Sequence, residues 1–389
     1  NHVRDRAPTG PARSSGPARE SVTLDIITAT ISGTDPRSRG AEIGSAHAAD
    51  IRESVRRYLE FFELRGVEGS RVREIDESCV PALGEWAPNL AEELAATAES
   101  AGVELWQLAA LNARTEVLAI VEPDAEGECS TAIFAPQGAT APQSIQTWDW
   151  HEHLCPRGFV FSYTPDAPAG RECAVGRVAM FTEFGVLGKI GVNDAGIGVH
   201  FNILHHASDR GEGGVPVHAI ARRVLDEATS VDEAEAIIRS APASASTGLT
   251  VVARDDAPHR AACFEISSER VAVVRPNAEG VLLHTNNFIA EEQLPGEATR
   301  DKSTTYVRLA HLGAQQASMA GLSIDERAAR MCGDEGAFAP VCFRPDPAEP
   351  LHEQWTTLLT VGLNVADGEL EYYPGSPAAL AEHGALRFR

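Results

Sequence analysis

The chain has 389 residues, 43% of them hydrophobic and 23% charged, enough to bury a full core in one large domain or two ordinary ones. Its net charge of −23, from 33 Lys and Arg against 56 Asp and Glu, repels phosphate backbones and anionic lipid, so no nucleic-acid or membrane partner is expected. No apolar run approaches the ~20 residues of a membrane span. The opening residues, rich in Arg, Pro, Gly and Ser, lack the apolar segment of a secretory signal. Seven cysteines, an odd count with no Cys-x-x-Cys pair, argue against a disulfide framework or a zinc ribbon, and a reducing cytoplasm is the expected compartment.

Residues 1–20 are too polar and too rich in Pro and Gly to pack, and a disordered tail is expected there. The β-branched run 22–30 predicts a strand, and the stretch from 40 to 120 reads as mostly helical. Within it, 48–64 carries Ile51, Val55, Tyr58, Leu59 and Phe62 on one stripe. Two further helices are expected over 81–100 and 104–120, separated at Ala101-Gly102. The acidic stretch 122–128 contains Pro and Gly and predicts an exposed loop.

From Cys129 onward the texture turns to strands. Segments 130–135 and 144–150 predict a hairpin, followed by short strands over 178–182, 189–193 and 196–202. Helices are expected over 217–228 and 230–240, the second opened by a Ser230/Glu233 capping box. Strands resume over 249–253, 261–266, 270–275 and 281–284. Residues 300–332 read as helical, and 356–365 and 368–373 as a last strand pair. Helices and strands in runs, rather than strict alternation, predict an α+β fold with antiparallel sheets and helical layers.

The chemistry centres on Cys129. A cysteine attacks only as its thiolate, whose ordinary pKa is about 8.5, so it needs a base. An α-amino group, at about 7.7–8.0, is close to ideal as that base near neutral pH. Self-cleavage of the Glu128–Cys129 bond would create one on the cysteine itself. An aspartate at the end of the paired strand, Asp149, is placed to hold the new amine, and Ser130 and Thr131 can assist at the cut. Without further context, a lone buried cysteine is also ordinary core filler.

Several separated segments carry a resemblance to a known family. These are Gly40-Ala41-Glu42-Ile43-Gly44 with His47, Leu111 to Glu116, Cys129-Ser130-Thr131-Ala132 and Trp148-Asp149. Thr182 to Gly191, Gly196 to Asn202, Gly214-Val215-Pro216 and His284-Thr285-Asn286 follow in order. Together, over residues 40–375, they resemble the isopenicillin N acyltransferase family, which also contains carcinine and β-alanyl-dopamine hydrolases. The resemblance implies a four-layer αββα N-terminal-nucleophile hydrolase sandwich, autocatalytic processing and cleavage or transfer of an amide-linked acyl group. It further implies Cys129 as nucleophile and base, Asp149 orienting the α-amino group, and Asn286 donating to the oxyanion. On this reading 21–128 is a cut-off, mostly helical segment and 129–389 the catalytic segment beginning at the nucleophile. The two form an αβ heterodimer within one compact domain.

Three departures bear on processing and substrate, the first by slowing the acyl shift. Glu128 stands where the penicillin-forming enzyme has glycine. Gln146-Thr147 replaces the Arg-Asn of bile salt hydrolases, removing an anion-binding arginine. His352 to Thr356 occupies the place of the Gly-Lys-Ser-Arg-Gly segment, which weakens a coenzyme-A donor. Hydrolysis of a small N-acyl amine is therefore the first expectation, transfer to a small amine the second, and a non-catalytic binding protein the third. Gln146, Trp150, His151 and Asn202 are the residues expected around the substrate, with Asn202 and Glu116 also candidates for structural hydrogen bonding. No cofactor is expected. Asp149, His151 and His153 would share one face of a continuous strand and could offer a metal set, but no fourth ligand is apparent and no metal is expected. His205-His206 could line the pocket or belong to a polar loop.

Overall fold

The computed structural model describes residues 23–121, 128–138, 141–167, 170, 174–254, 260–299 and 304–389. The expected tail at 1–20, residues 122–127 of the expected acidic loop, and Cys173 lie outside the described residues. Glu128, expected in that loop, already belongs to a strand.

The chain begins with β1 (Asp25–Thr30) and then a block of helices: α1 (Pro36–Ala46), α2 (Ala48–Leu64), α3 (Gly69–Trp86), α4 (Pro88–Ala101), α5 (Leu105–Asn112) and α6 (Arg114–Leu118). The expected bounds of α2 hold. The next expectation does not, because Pro81 lies inside α3 and opens no helix. The break falls instead at Ala87, whose φ of −145° and ψ of 75° are non-helical. Pro88 imposes this, since its ring clashes with a helical residue before it. Two glycines set how close α1 lies to α4. A β-carbon on Gly40 would sit 2.3 Å from the Glu93 carbonyl, and one on Gly44 2.5 Å from that of Thr97.

Next come β2 (Glu128–Phe134), β3 (Gln143–Trp150), β4 (Arg157–Tyr163), β5 (Val178–Glu183), β6 (Ile190–Asn193) and β7 (Ile197–Ile203). They are followed by α7 (Val217–Glu227), α8 (Val231–Ser240), β8 (Thr247–Ala253), β9 (Ala261–Ile266), β10 (Val271–Val274) and β11 (Val281–His284). The chain ends with α9 (Thr305–Met319), α10 (Ile324–Cys332), β12 (Thr356–Asn364), β13 (Glu369–Tyr373), α11 (Pro377–His383) and β14 (Leu386–Phe388). Strand β4 was not expected, and neither were α11 and β14. At α8 the Ser230 side chain accepts from the Glu233 N–H, but the Glu233 carboxylate takes the Thr229 N–H at 2.8 Å, completing only half of the expected capping box.

Two sheets result, in the orders β1-β4-β5-β6-β7-β8-β9-β10 and β11-β2-β3-β12-β13-β14. Only the β1/β4 pair is parallel among the described ladders. Strand β2 packs across onto β7, and β12 and β13 onto β6. Helices α7 and α8 cover β6 to β9 of the large sheet, while α9 and α10 cover β2, β3 and β11 of the small one. This is the four-layer αββα sandwich. The helical block α1–α6 joins the α7 side, where Arg222 of α7 binds Glu93 of α4 at 2.9 Å. Alternation along β2 sends Cys129 and Ile133 into the core between the sheets, and Ala132 and Phe134 towards α9 and α10.

Candidate active site

Strand pairing brings the candidate residues together. In the β2/β3 register Cys129 faces Trp148, and Glu128 faces Asp149. Strand β12 flanks β3 on the other side, with Thr357 opposite Asp149. Asn286 lies two residues beyond β11, which pairs with β2. His284 fixes the Asn286 segment: its Nδ1 lies 2.8 Å from the Thr285 carbonyl and its Nε2 2.8 Å from Glu265. With an acceptor on each nitrogen the ring is a double donor. Burial alone would pull its pKa down, but Cys263 and Glu265 outweigh that and hold it well above the ordinary value. Glu265 in turn accepts the Ile289 and Ala290 N–H groups, which ties the segment to β9.

The Cys129 N–H donates to Asn286 Oδ1 at 2.7 Å. Arg308 of α9 donates to the same oxygen at 3.0 Å, to the Cys129 carbonyl at 2.7 Å and to Ser130 Oγ at 3.0 Å. Asn286 Nδ2 gives one of its two N–H bonds to the Ile203 carbonyl at 2.9 Å, and the other has no partner among the described residues. The Cys129 nitrogen is thus held by Asn286 in this structure, while Asp149, expected to orient an α-amino group, lies on the neighbouring strand β3. Asp149 lies fully buried, accepts from Thr147 Oγ1 at 3.1 Å, and its backbone meets the cysteine sulfur.

The Cys129 thiol is pushed up to about 12, chiefly by burial and then by the Asp149 charge, with Lys189 and Arg308 pulling the other way. Lys189 lies 3.3 Å above the Trp148 ring and 2.9 Å from Glu183. Burial brings its ammonium down to about 7, against the opposing pull of Glu183. Burial would raise Glu183, yet Arg114 and then Lys189 outweigh it and keep the carboxylate ionised. Tyr58 closes this group, donating to Glu183 and accepting from Trp150 Nε1 at 2.8 Å. Arg114 thus pairs with Glu183, and Glu116 accepts the Val217 N–H.

Gln146 and Asn202 lock the two sheets. Gln146 Nε2 donates to Thr131 Oγ1 at 2.7 Å, the Phe201 carbonyl at 3.1 Å and Asn202 Oδ1 at 3.2 Å. Its Oε1 faces His200 Nδ1 at 3.2 Å; burial takes His200 down to about 3, so this is a neutral ring with the proton on Nδ1. Asn202 Nδ2 reaches the Cys129 carbonyl at 3.4 Å. Gln146 is thus a buried brace and not an open pocket wall. Trp150 and His151 are buried against Trp355, and His151 Nδ1 contacts the Gln354 carbonyl at 2.9 Å.

The metal alternative fails geometrically, because β3 ends at Trp150 and Glu152–Leu154 turns as a 3-10 helix, breaking the alternation that would align 149, 151 and 153. No cluster of three or more His, Cys, Asp or Glu fit for a metal occurs among the described residues. His206 is buried and bridges to Glu297, while His205 is only partly buried. Sequence reasoning missed Arg308 and Lys189 as site residues. Each carries a signal in hindsight: Arg308 interrupts the buried stripe Thr305, Leu312, Met319 of α9, and Lys189 adjoins a fully buried strand.

The acyl-coenzyme A:6-aminopenicillanic acid acyl-transferase family model matches residues 143–379, a span that holds Asp149 and Asn286 and begins after Cys129. The 40 kDa form of acyl-coenzyme A:6-aminopenicillanic-acid-acyltransferase from Emericella nidulans is 29% identical over 204 residues, 52% of this chain and 52% of that protein. The chain thus spans about half the length of that curated relative. Among solved structures, a point mutant of conjugated bile acid hydrolase from Clostridium perfringens is 13% identical with a TM-score of 0.41, covering 63% of this chain and 89% of that one. A Caenorhabditis elegans N-acylethanolamine-hydrolyzing acid amidase ortholog is 14% identical with a TM-score of 0.39, covering 61% and 96%. With more than half of its length matched by the family model, the chain belongs to the acyl-coenzyme A:6-aminopenicillanic acid acyl-transferase family.

Proposed function

We propose that this protein is a self-processing cysteine amidohydrolase that cuts its own Glu128–Cys129 bond and then cleaves a small N-acyl amine through a thioester on Cys129. The observation that carries the reading is the 2.7 Å contact from the Cys129 nitrogen to Asn286, braced by Arg308. The nitrogen that cleavage would turn into the α-amino base is already held in place beside the sulfur. A thiol raised to about 12 cannot ionise unaided near neutral pH, so a base at the same residue answers a need of this site.

In processing, the sulfur attacks the Glu128 carbonyl, the Glu128–Cys129 C–N bond breaks as the nitrogen takes the thiol proton, and water hydrolyses the resulting ester. Lys189, a buried cation over Trp148, favours the thiolate together with Arg308 before an α-amino group exists. In turnover the α-amine takes the thiol proton and returns it to the leaving amine, while the free N–H of Asn286 meets the oxyanion. Arg308 keeps the Cys129 carbonyl and Asn286 in register throughout. Partners on this reading are the small amide substrate and the cut-off segment, which stays bound.

Transfer is the second reading, favoured by the acyl-transferases that the family model and the Emericella nidulans relative describe. Both readings share the thioester and differ in what resolves it. Incubation with a panel of N-acyl amines, acid quenching and mass spectrometry test them together. An acyl adduct on the fragment beginning at Cys129 supports the proposal, and adduct-free protein throughout steady turnover refutes it. Added small amines that divert product from free acid to new amide favour transfer.

A further inference from the structure

Behind the small sheet lies a thiol pair that the catalytic reading does not use. Cys332 ends α10, and Cys342 follows a short 3-10 segment, with their sulfurs 3.7 Å apart. Glycine makes the return possible. Gly333 has φ 59° and ψ −152°, a conformation that costs other residues steric strain, and a β-carbon there would strike the Gln315 side chain at 2.7 Å. The intervening loop carries Phe338, which is 79% exposed, while the cysteines themselves are 2% and 9% exposed. The next residue, Phe343, exchanges backbone and hydroxyl hydrogen bonds with Thr357, and its ring lies 5.7 Å from the Arg308 guanidinium.

We propose that Cys332 and Cys342 form a reversible disulfide that closes the 333–341 loop. The two sulfurs, 3.7 Å apart, already stand in contact and have to close to the bonded distance of about 2.05 Å. Cys342 is the attacking group: it sits nearer the surface, and the Cys332 thiol 3.7 Å away can hydrogen-bond to its thiolate. Its thiolate displaces one glutathione from oxidised glutathione. Cys332 then displaces the second, so two S–H bonds are lost, one S–S bond forms, and two glutathione thiols carry the protons and electrons away. Because Phe343 follows Cys342 directly, the bond fixes the segment that runs from the loop to the underside of Arg308.

The test uses the full chain carrying Cys129→Ala, so that the candidate nucleophile cannot react, equilibrated with excess oxidised glutathione under native conditions. Free thiols are then alkylated and the protein is digested for mass spectrometry. The expected result is a peptide pair joined through Cys332 and Cys342, lost on treatment with dithiothreitol. With it come slower chymotryptic nicking after Phe338 and a thermal midpoint raised by a few degrees. Both shifts should vanish when Cys332→Ser is added. Recovery of the two cysteines in alkylated form, as separate glutathione adducts, or joined to other cysteines overturns the proposal. No substrate is involved, so a failure of the catalytic reading and a failure of this one are distinguishable.

Discussion

Asn286→Asp separates the two tasks that one side chain performs. The carboxylate keeps an oxygen where Oδ1 was, so the Cys129 N–H at 2.7 Å and the Arg308 guanidinium at 3.0 Å retain their acceptor. The Arg308 contact, already charge-assisted by its guanidinium donor, becomes an ion pair and gains on the order of 1 kcal/mol. Against this, the bond from Nδ2 to the Ile203 carbonyl at 2.9 Å turns into an oxygen–oxygen contact. Leaving that buried carbonyl without a donor costs about 1–3 kcal/mol. The two changes nearly offset, so folding stability should move by no more than about 1–2 kcal/mol. The oxyanion, however, loses its donor and gains a negative neighbour. Loss of one such donor typically costs 100- to 1000-fold in turnover, about 3–4 kcal/mol. Denaturant unfolding and steady-state hydrolysis of a chromogenic N-acyl amine read the two quantities separately. Asn286→Leu, which removes acceptor and donor together, should lose both stability and turnover. Full turnover by Asn286→Asp would refute the oxyanion assignment, and collapse of its fold would refute the energy balance.

Three further outcomes are expected. Cys129→Ala should leave the chain uncut and abolish turnover, while circular dichroism stays native, because the sulfur fills a small buried space and its loss costs on the order of 1 kcal/mol. Lys189→Met should change how stability depends on pH. The lysine is held near 7 in the fold against about 10.4 unfolded, so between these values the unfolded chain binds the extra proton and stability climbs with pH. The variant should lose that climb in urea titrations from pH 7 to 10, and an unchanged slope would contradict the burial argument. Asp76 has the opposite sign. Burial, with Glu116 nearby, lifts it to about 9, and both its oxygens lack partners among the described residues. The stability of its neutral form is complete below about 4 and declines as pH rises towards 9. Asp76→Asn should flatten that decline and stabilise the fold at pH 8; a variant less stable than the parent at pH 8 would show that the carboxyl has a charged partner.

Much of the sandwich was legible because its strands are short, apolar and separated by Gly, Asn or Asp turns. Segments such as 261–266 and 281–284 became strands with those bounds. What escaped was set by non-local contacts. Strand β4 depends on its parallel partner β1, more than a hundred residues earlier, and local pattern says nothing about such pairing. The 81–100 expectation failed because Pro81 lies inside α3, whereas Pro88, acting on Ala87, makes the actual break. At the site, Cys129, Asp149 and Asn286 stood out by residue type and order. The contact between the Cys129 nitrogen and Asn286 did not, because it depends on Asn286 coming off the end of β11 beside β2. Arg308 was invisible for a related reason. A helix period marks it as inward-facing, but only the packing of α9 on β2 shows that it reaches the Cys129 carbonyl.

The proposed chemistry requires a free α-amino group at the candidate nucleophile, and intact-mass measurement of freshly purified, active protein under denaturing conditions tests this most directly. The expected spectrum contains one fragment ending at Glu128 and another beginning at Cys129, with turnover rising in proportion as the second accumulates. A preparation that cleaves its amide substrate at full rate while every molecule retains the 128–129 bond would contradict it.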